Sequence, residues 1–76
     1  MKATIWTKDD CTFCTQAKKL LEAKAIEYTE QKIGEEFTKE QLLEAVPGAK
    51  SVPQIFIDGE YVGGYRELVS RFVQLT

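Results

Sequence analysis

The sequence predicts an α/β domain in which helices flank a mixed four-stranded sheet, in the order β-α-β-α-β-β-α. Three observations predict it. Two strand-like runs near the N-terminus enclose a helical stretch, so they should pair in parallel through a right-handed crossover. Asp58-Gly59 between apolar runs is a hairpin signal, because a type I′ turn needs positive φ at both central residues. The final stretch repeats its apolar residues at helical spacing.

The elements follow in order. Ala3 to Thr7 carries β-branched and aromatic residues suited to a strand, and Asp9-Asp10 breaks it. Helix one begins close to Cys11, with Ala17, Leu20, Leu21 and Lys24 at helical spacing. Ile26 to Ile33 alternates loosely and reads as the second strand. Thr38-Lys39-Glu40-Gln41 matches a capping box, with Leu42, Leu43 and Val46 as the expected buried face of helix two. Pro47-Gly48 ends that helix. Gln54 to Ile57 and Glu60 to Val62 form the hairpin strands. After Gly63-Gly64, the residues Tyr65, Leu68, Val69, Phe72 and Val73 mark an amphipathic last helix.

The chain has 76 residues, 43% of them apolar, a net charge of −2 and two cysteines but no histidine. That length holds one core, so a single domain over residues 1–76 is expected. A net negative charge gives no basic field for nucleic acid. No apolar run resembles a signal peptide or a membrane span, which makes a reducing cytoplasm the expected location. Two cysteines without histidine cannot close a four-ligand zinc site, so no metal site is expected. A disulfide between Cys11 and Cys14 would close too short a loop to be an effective staple.

The pair is better placed for chemistry. At the mouth of a helix, unpaired amides and the positive end of the dipole favour a thiolate at Cys11, and Lys8 adds positive charge. Asp9 and Asp10 are expected to point to solvent or to cap the helix. Cys14, on the face of Ala17, should be more buried and suits a resolving thiol. Two further features stay open when taken alone. Pro53 in Ser51-Val52-Pro53 reads as a strand-start proline or as a cis turn. Gly63-Gly64 before Tyr65-Arg66-Glu67 reads as a tight turn or as a ligand contact at a helix start.

Taken together, Thr7-Lys8 before Cys11-Thr12-Phe13-Cys14, then Ser51 to Gly59, then Val62-Gly63-Gly64-Tyr65, resemble the glutaredoxins over nearly the whole chain. The resemblance implies a thioredoxin-like fold and a glutathione-dependent thiol–disulfide oxidoreductase, with glutathione as cosubstrate and no tightly bound cofactor. It implies a nucleophilic Cys11, a resolving Cys14 and a cis Pro53 facing the sulfurs. Lys8 would meet a glutathione carboxylate, and the backbone of Val52 would pair with the tripeptide as an added strand. Phe13 would wall the sulfurs, and Tyr65 would be a further glutathione contact. The amides of Arg66 and Glu67 would take the γ-glutamyl carboxylate and the Glu67 side chain its ammonium. Implied partners are glutathione and disulfide-bearing or glutathionylated proteins, ribonucleotide reductase among them, with a monomer expected and neither nucleic acid nor membrane.

Two departures from the family pattern stand out. Thr12 replaces the usual proline between the cysteines, and Arg66 replaces an acidic or small residue. Two rival readings accompany the resemblance: a redoxin recharged by thioredoxin reductase, and a [2Fe–2S] cluster bridged between two subunits through Cys11 and glutathione.

Overall fold

The computed structural model describes residues 1–73, so the expected span of 1–76 ends in three residues outside the described part. Its elements are β1 (Lys2–Thr7), α1 (Thr12–Ala23), β2 (Glu27–Lys32), α2 (Lys39–Ala45), β3 (Gln54–Ile57), β4 (Glu60–Gly63) and α3 (Tyr65–Val73). The order is the expected one. The sheet runs β2-β1-β3-β4, with β1 parallel to β2 and antiparallel to β3, and β3 antiparallel to β4. It is the thioredoxin-like arrangement that the sequence implied.

The central strand β1 is buried on both faces. Ala3 and Ile5 pack with Ala17 and Leu21 of α1, Ile55 and Ile57 of β3, and Leu68 of α3. Trp6 points to the opposite face, onto Leu42 and Val46, with the Phe37 ring edge-on at 5.6 Å. Truncating a fully buried residue such as Leu21 to alanine should cost about 2–5 kcal/mol, the lost transfer energy plus the cavity left behind. The hairpin turn has Asp58 at φ 52° and Gly59 at φ 81°, which meets the demand for two positive φ values.

Two expected buried faces are narrower than their spacing suggested. In α2 Leu42 is buried but Leu43 is exposed, because seven residues present a single side to the sheet. In α3 Leu68 is the buried residue, while Val73 is exposed at the end of the helix. The far ends of α1 and α3 meet instead through the Lys24 ammonium, 5.4 Å from the centre of the Phe72 ring.

Strand directions decide where the site lies. The C-terminal end of β1 leads into α1. Because β3 is antiparallel to β1, Gln54 at the start of β3 sits opposite Trp6 near the end of β1. Because β4 turns back again, Gly63 at its end sits opposite Ile55. The start of α1, the turn before β3 and the start of α3 therefore gather at one end of the sheet.

Candidate active site

Cys11 and Cys14 lie one helical turn apart at that end, joined in a disulfide with Cα atoms 5.2 Å apart. Cys11 is the N-cap of α1, in extended conformation at φ −113° and ψ 104°. Its sulfur accepts the backbone N–H of Cys14 at 3.2 Å. The cap is thus the first cysteine of the pair. Of the two expected placements for Asp9 and Asp10 the solvent-facing one holds, since both are exposed; Asp9 also binds the ammonium of Lys32 at 2.6 Å, a partner on β2 that local sequence does not reveal. Asp10 takes φ 56° in the turn into the helix. Cys14 is buried and Cys11 more open, the asymmetry expected of a resolving and an attacking thiol.

The turn before β3 faces the sulfurs. The Val52–Pro53 bond is cis, and the Val52 carbonyl oxygen lies 3.8 Å from the Cys11 sulfur. At the third corner, Gly64 precedes α3 and its N–H donates to the Glu67 carboxylate at 2.9 Å. Gly63 has to be glycine: at φ 123°, a Cβ would stand 2.8 Å from Glu67 Cγ. That close approach lets the carboxylate fold back over the helix start.

Six of the expected contact residues come together. Phe13, Val52, Pro53, Tyr65, Arg66 and Glu67 line one groove of about 210 Å³. Phe13 is exposed and stacks on Tyr65 with ring centres 5.8 Å apart, forming its aromatic wall. Lys8 is not in this groove. It lies across the Val52 turn in a second groove of about 220 Å³, where Lys39 and Lys50 surround an apolar floor that includes Ile33 and Leu42. Both grooves share Ser51 and Val52, so the turn is the ridge between a mixed-charge end and a cationic end.

The two cysteines and Lys8 also line a larger groove of about 490 Å³ between α1 and β2. One carboxylate oxygen of Glu30 accepts from the buried Thr7 hydroxyl at 2.6 Å and binds the Lys18 ammonium at 3.1 Å. The Thr7 hydroxyl first, then Lys18, holds the Glu30 carboxyl below its ordinary range despite partial desolvation. The groove is polar and its charges are largely paired, which suits it less to an extended ligand than the two grooves beside Val52. Among the described residues no cluster of three or more potential metal ligands occurs. No helix there is long and apolar enough to cross a membrane.

Sequence reasoning gave no place around the Val52 turn to three residues. Lys39 and Lys50 join Lys8 only after the chain folds. Gln54, part of the motif run but given no role, is buried behind the Val52 turn; a polar residue heading an apolar strand was the available signal.

The Glutaredoxin family profile matches residues 3–62. Glutaredoxin 3 of Escherichia coli (strain K12) is 38% identical over 64 residues, covering 84% of this chain and 77% of that protein. The hybrid peroxiredoxin hyPrx5 of Haemophilus influenzae is 39% identical over 69 residues; that is 91% of this chain but 28% of the longer protein. The solution structure of reduced Escherichia coli glutaredoxin superposes with a TM-score of 0.80 at 31% identity, covering 97% of this chain and 95% of that one.

Proposed function

The chain belongs to the glutaredoxin family and is a thiol–disulfide oxidoreductase, and from that premise we propose that glutathione is its cosubstrate and that it reduces both glutathione mixed disulfides and protein disulfides. The observation that carries this reading is the pair of grooves meeting at Val52 beside the Cys11 sulfur. Glutathione carries a carboxylate at each end and an ammonium at one. The ridge between the grooves offers backbone groups for an added strand. The cationic side offers Lys8 for one carboxylate. On the other side, the amides of Arg66 and Glu67 lie in the first turn of α3, where helix N–H groups lack internal acceptors, and receive the γ-glutamyl carboxylate. The Glu67 carboxylate takes the ammonium.

In the reduced protein the Cys11 thiolate attacks the glutathione sulfur of a mixed disulfide, forming a Cys11–glutathione disulfide and expelling the protein thiolate. A second glutathione thiolate attacks that glutathione sulfur, releasing oxidised glutathione and the Cys11 thiolate. With a protein disulfide, Cys11 bonds to one sulfur and expels the other. The Cys14 thiolate then attacks Cys11, which frees the protein dithiol and leaves the Cys11–Cys14 disulfide. Two glutathione molecules return that disulfide to the dithiol, giving one oxidised glutathione. The Cys14 N–H on the Cys11 sulfur and the dipole of α1 favour the attacking thiolate.

Ribonucleotide reductase is a protein-disulfide target to assay. A monomer in a reducing cytoplasm, where glutathione is plentiful, suits the cycle. The test is a glutathione-coupled assay of wild type, Cys11→Ser and Cys14→Ser. Cys11→Ser should be inactive on both substrate classes, whereas Cys14→Ser should keep deglutathionylation and lose protein-disulfide reduction. Recycling by thioredoxin reductase but not by glutathione would overturn the cosubstrate assignment.

A further inference from the structure

Gln54 makes two hydrogen bonds that point in different directions. It is 7% exposed and heads β3, directly after the cis Val52–Pro53 bond. Its Nε2 donates backward to the Ser51 carbonyl at 2.9 Å, and its Oε1 accepts from the Tyr61 hydroxyl of β4 at 2.6 Å. Tyr61 is held in turn against Phe56, ring centres 5.4 Å apart. Among the described residues, no backbone–backbone hydrogen bond outside the regular elements reaches Ser51, Val52 or Pro53. Among the described residues, the hydrogen bonding that ties this ridge to the sheet is that of the Gln54 side-chain amide, alongside the packing of Val52 on the Trp6 cluster.

We infer that Gln54 is a positioning residue for substrate: it fixes the Ser51 carbonyl, and through it the orientation of the Val52 backbone that pairs with the bound chain. Both ends of the amide are needed, because a buried donor or acceptor left without its partner would pull the turn toward another arrangement. A substrate held along Val52 feels the loss of this strut. A small reagent that touches only the Cys11 sulfur does not.

The inference rests on the reading of Val52 as the strand-pairing contact, so the experiment uses two substrates, a glutathionylated peptide and a peptide with an internal disulfide. Gln54→Met fills the same space without donor or acceptor. It should raise KM about 5- to 10-fold on whichever substrate saturates the wild type, the worth of about one hydrogen bond, with kcat retained. The rate of Cys11 alkylation by iodoacetamide should stay at the wild-type value. Tyr61→Phe, which leaves the bond to Ser51 intact, should shift KM in the same direction by less.

Gln54→Glu supplies a signature that a loosened fold would not give. Its carboxylate can accept from Tyr61 but cannot donate to Ser51; protonated, it can donate again. Burial raises the pKa of such a group, so the ratio of variant to wild-type KM should fall as pH is lowered. A KM within twofold of wild type for both Gln54→Met and Gln54→Glu overturns the inference. So does a parallel loss of alkylation rate, or a KM ratio independent of pH in the glutamate variant. A wild type that saturates with the internal disulfide and not with the glutathionylated peptide would instead refute the glutathione reading, leaving the role of Gln54 to be decided on the internal-disulfide peptide.

Discussion

The starts of α2 and α3 solve one problem in different ways. Each helix leaves amide N–H groups without internal partners in its first turn. At α2 the capping box is complete: Thr38 Oγ1 accepts the Gln41 N–H at 3.2 Å, and Gln41 Oε1 accepts the Thr38 N–H at 2.8 Å. At α3 half of that box remains, since Gly64 occupies the cap and has no side chain, while Glu67 at the matching third position still accepts the Gly64 N–H. The start of α1 keeps the other half, a cap side chain on the third amide, with the sulfur of Cys11 as acceptor. The box is complete where no chemistry is assigned and divided where the candidate site lies. An incomplete cap leaves amides for a ligand or a thiolate.

The strongest way to break this comparison is to keep the cap and remove the chemistry. Serine is among the best N-cap residues, so Cys11→Ser should still accept the Cys14 amide and hold α1. Activity should be abolished while the urea midpoint of the reduced protein stays near wild type. A large drop in the midpoint would show that sulfur is needed for the cap as well as for the reaction. Next in size is charge reversal at the half box of α3. Glu67→Lys removes the anion expected to meet the ammonium and adds a cation, which should raise KM for a glutathionylated substrate about tenfold, with kcat little changed. An unchanged KM would remove Glu67 from the binding site.

What the sequence made legible follows the range of the interactions. The box at Thr38, the turn at Asp58-Gly59 and the Cys11–Cys14 spacing are complete within four residues, and all three appear as expected. The order of strands was legible because the connection lengths leave few topologies. The choice between solvent and cap for Asp9 stayed open in the sequence because its ion-pair partner, Lys32, lies 23 residues on. Leu43 and Val73 were assigned to buried faces because periodicity marks a face without revealing how far the neighbouring element extends along it. Gln54 escaped assignment because its role depends on a backward bond across a cis turn and on Tyr61 from the next strand. Lys8, Lys39 and Lys50 are far apart in sequence and share a groove through folding alone.

The complete box supplies the control for the divided ones. Thr38→Ala should cost about 1 kcal/mol of stability, as N-cap losses generally do, and leave KM for both substrates unchanged. If KM moved, the start of α2 would have to be counted with the site, and completeness of the cap would no longer distinguish the regions.

The smallest effect concerns what holds the body of α1, from which its divided cap projects. Lys18 of α1 meets the Glu30 carboxylate on β2, and Thr7 donates to the same oxygen. The Glu30 carboxyl titrates below its ordinary value of 4.5 in the folded chain, chiefly through Thr7. A depressed folded pKa contributes stability that is fully present above the unfolded pKa and is lost as pH falls through the folded one. Thr7→Val removes the main cause and leaves the methyl packing largely in place. The stability gap between wild type and variant should therefore be widest above about pH 5 and should narrow toward about pH 3, read as the difference in urea midpoints. A gap of constant width would mean that Thr7 acts through packing alone. In that case α1 would be anchored by its apolar face and the Lys18 contact, with no contribution from the Thr7 hydroxyl.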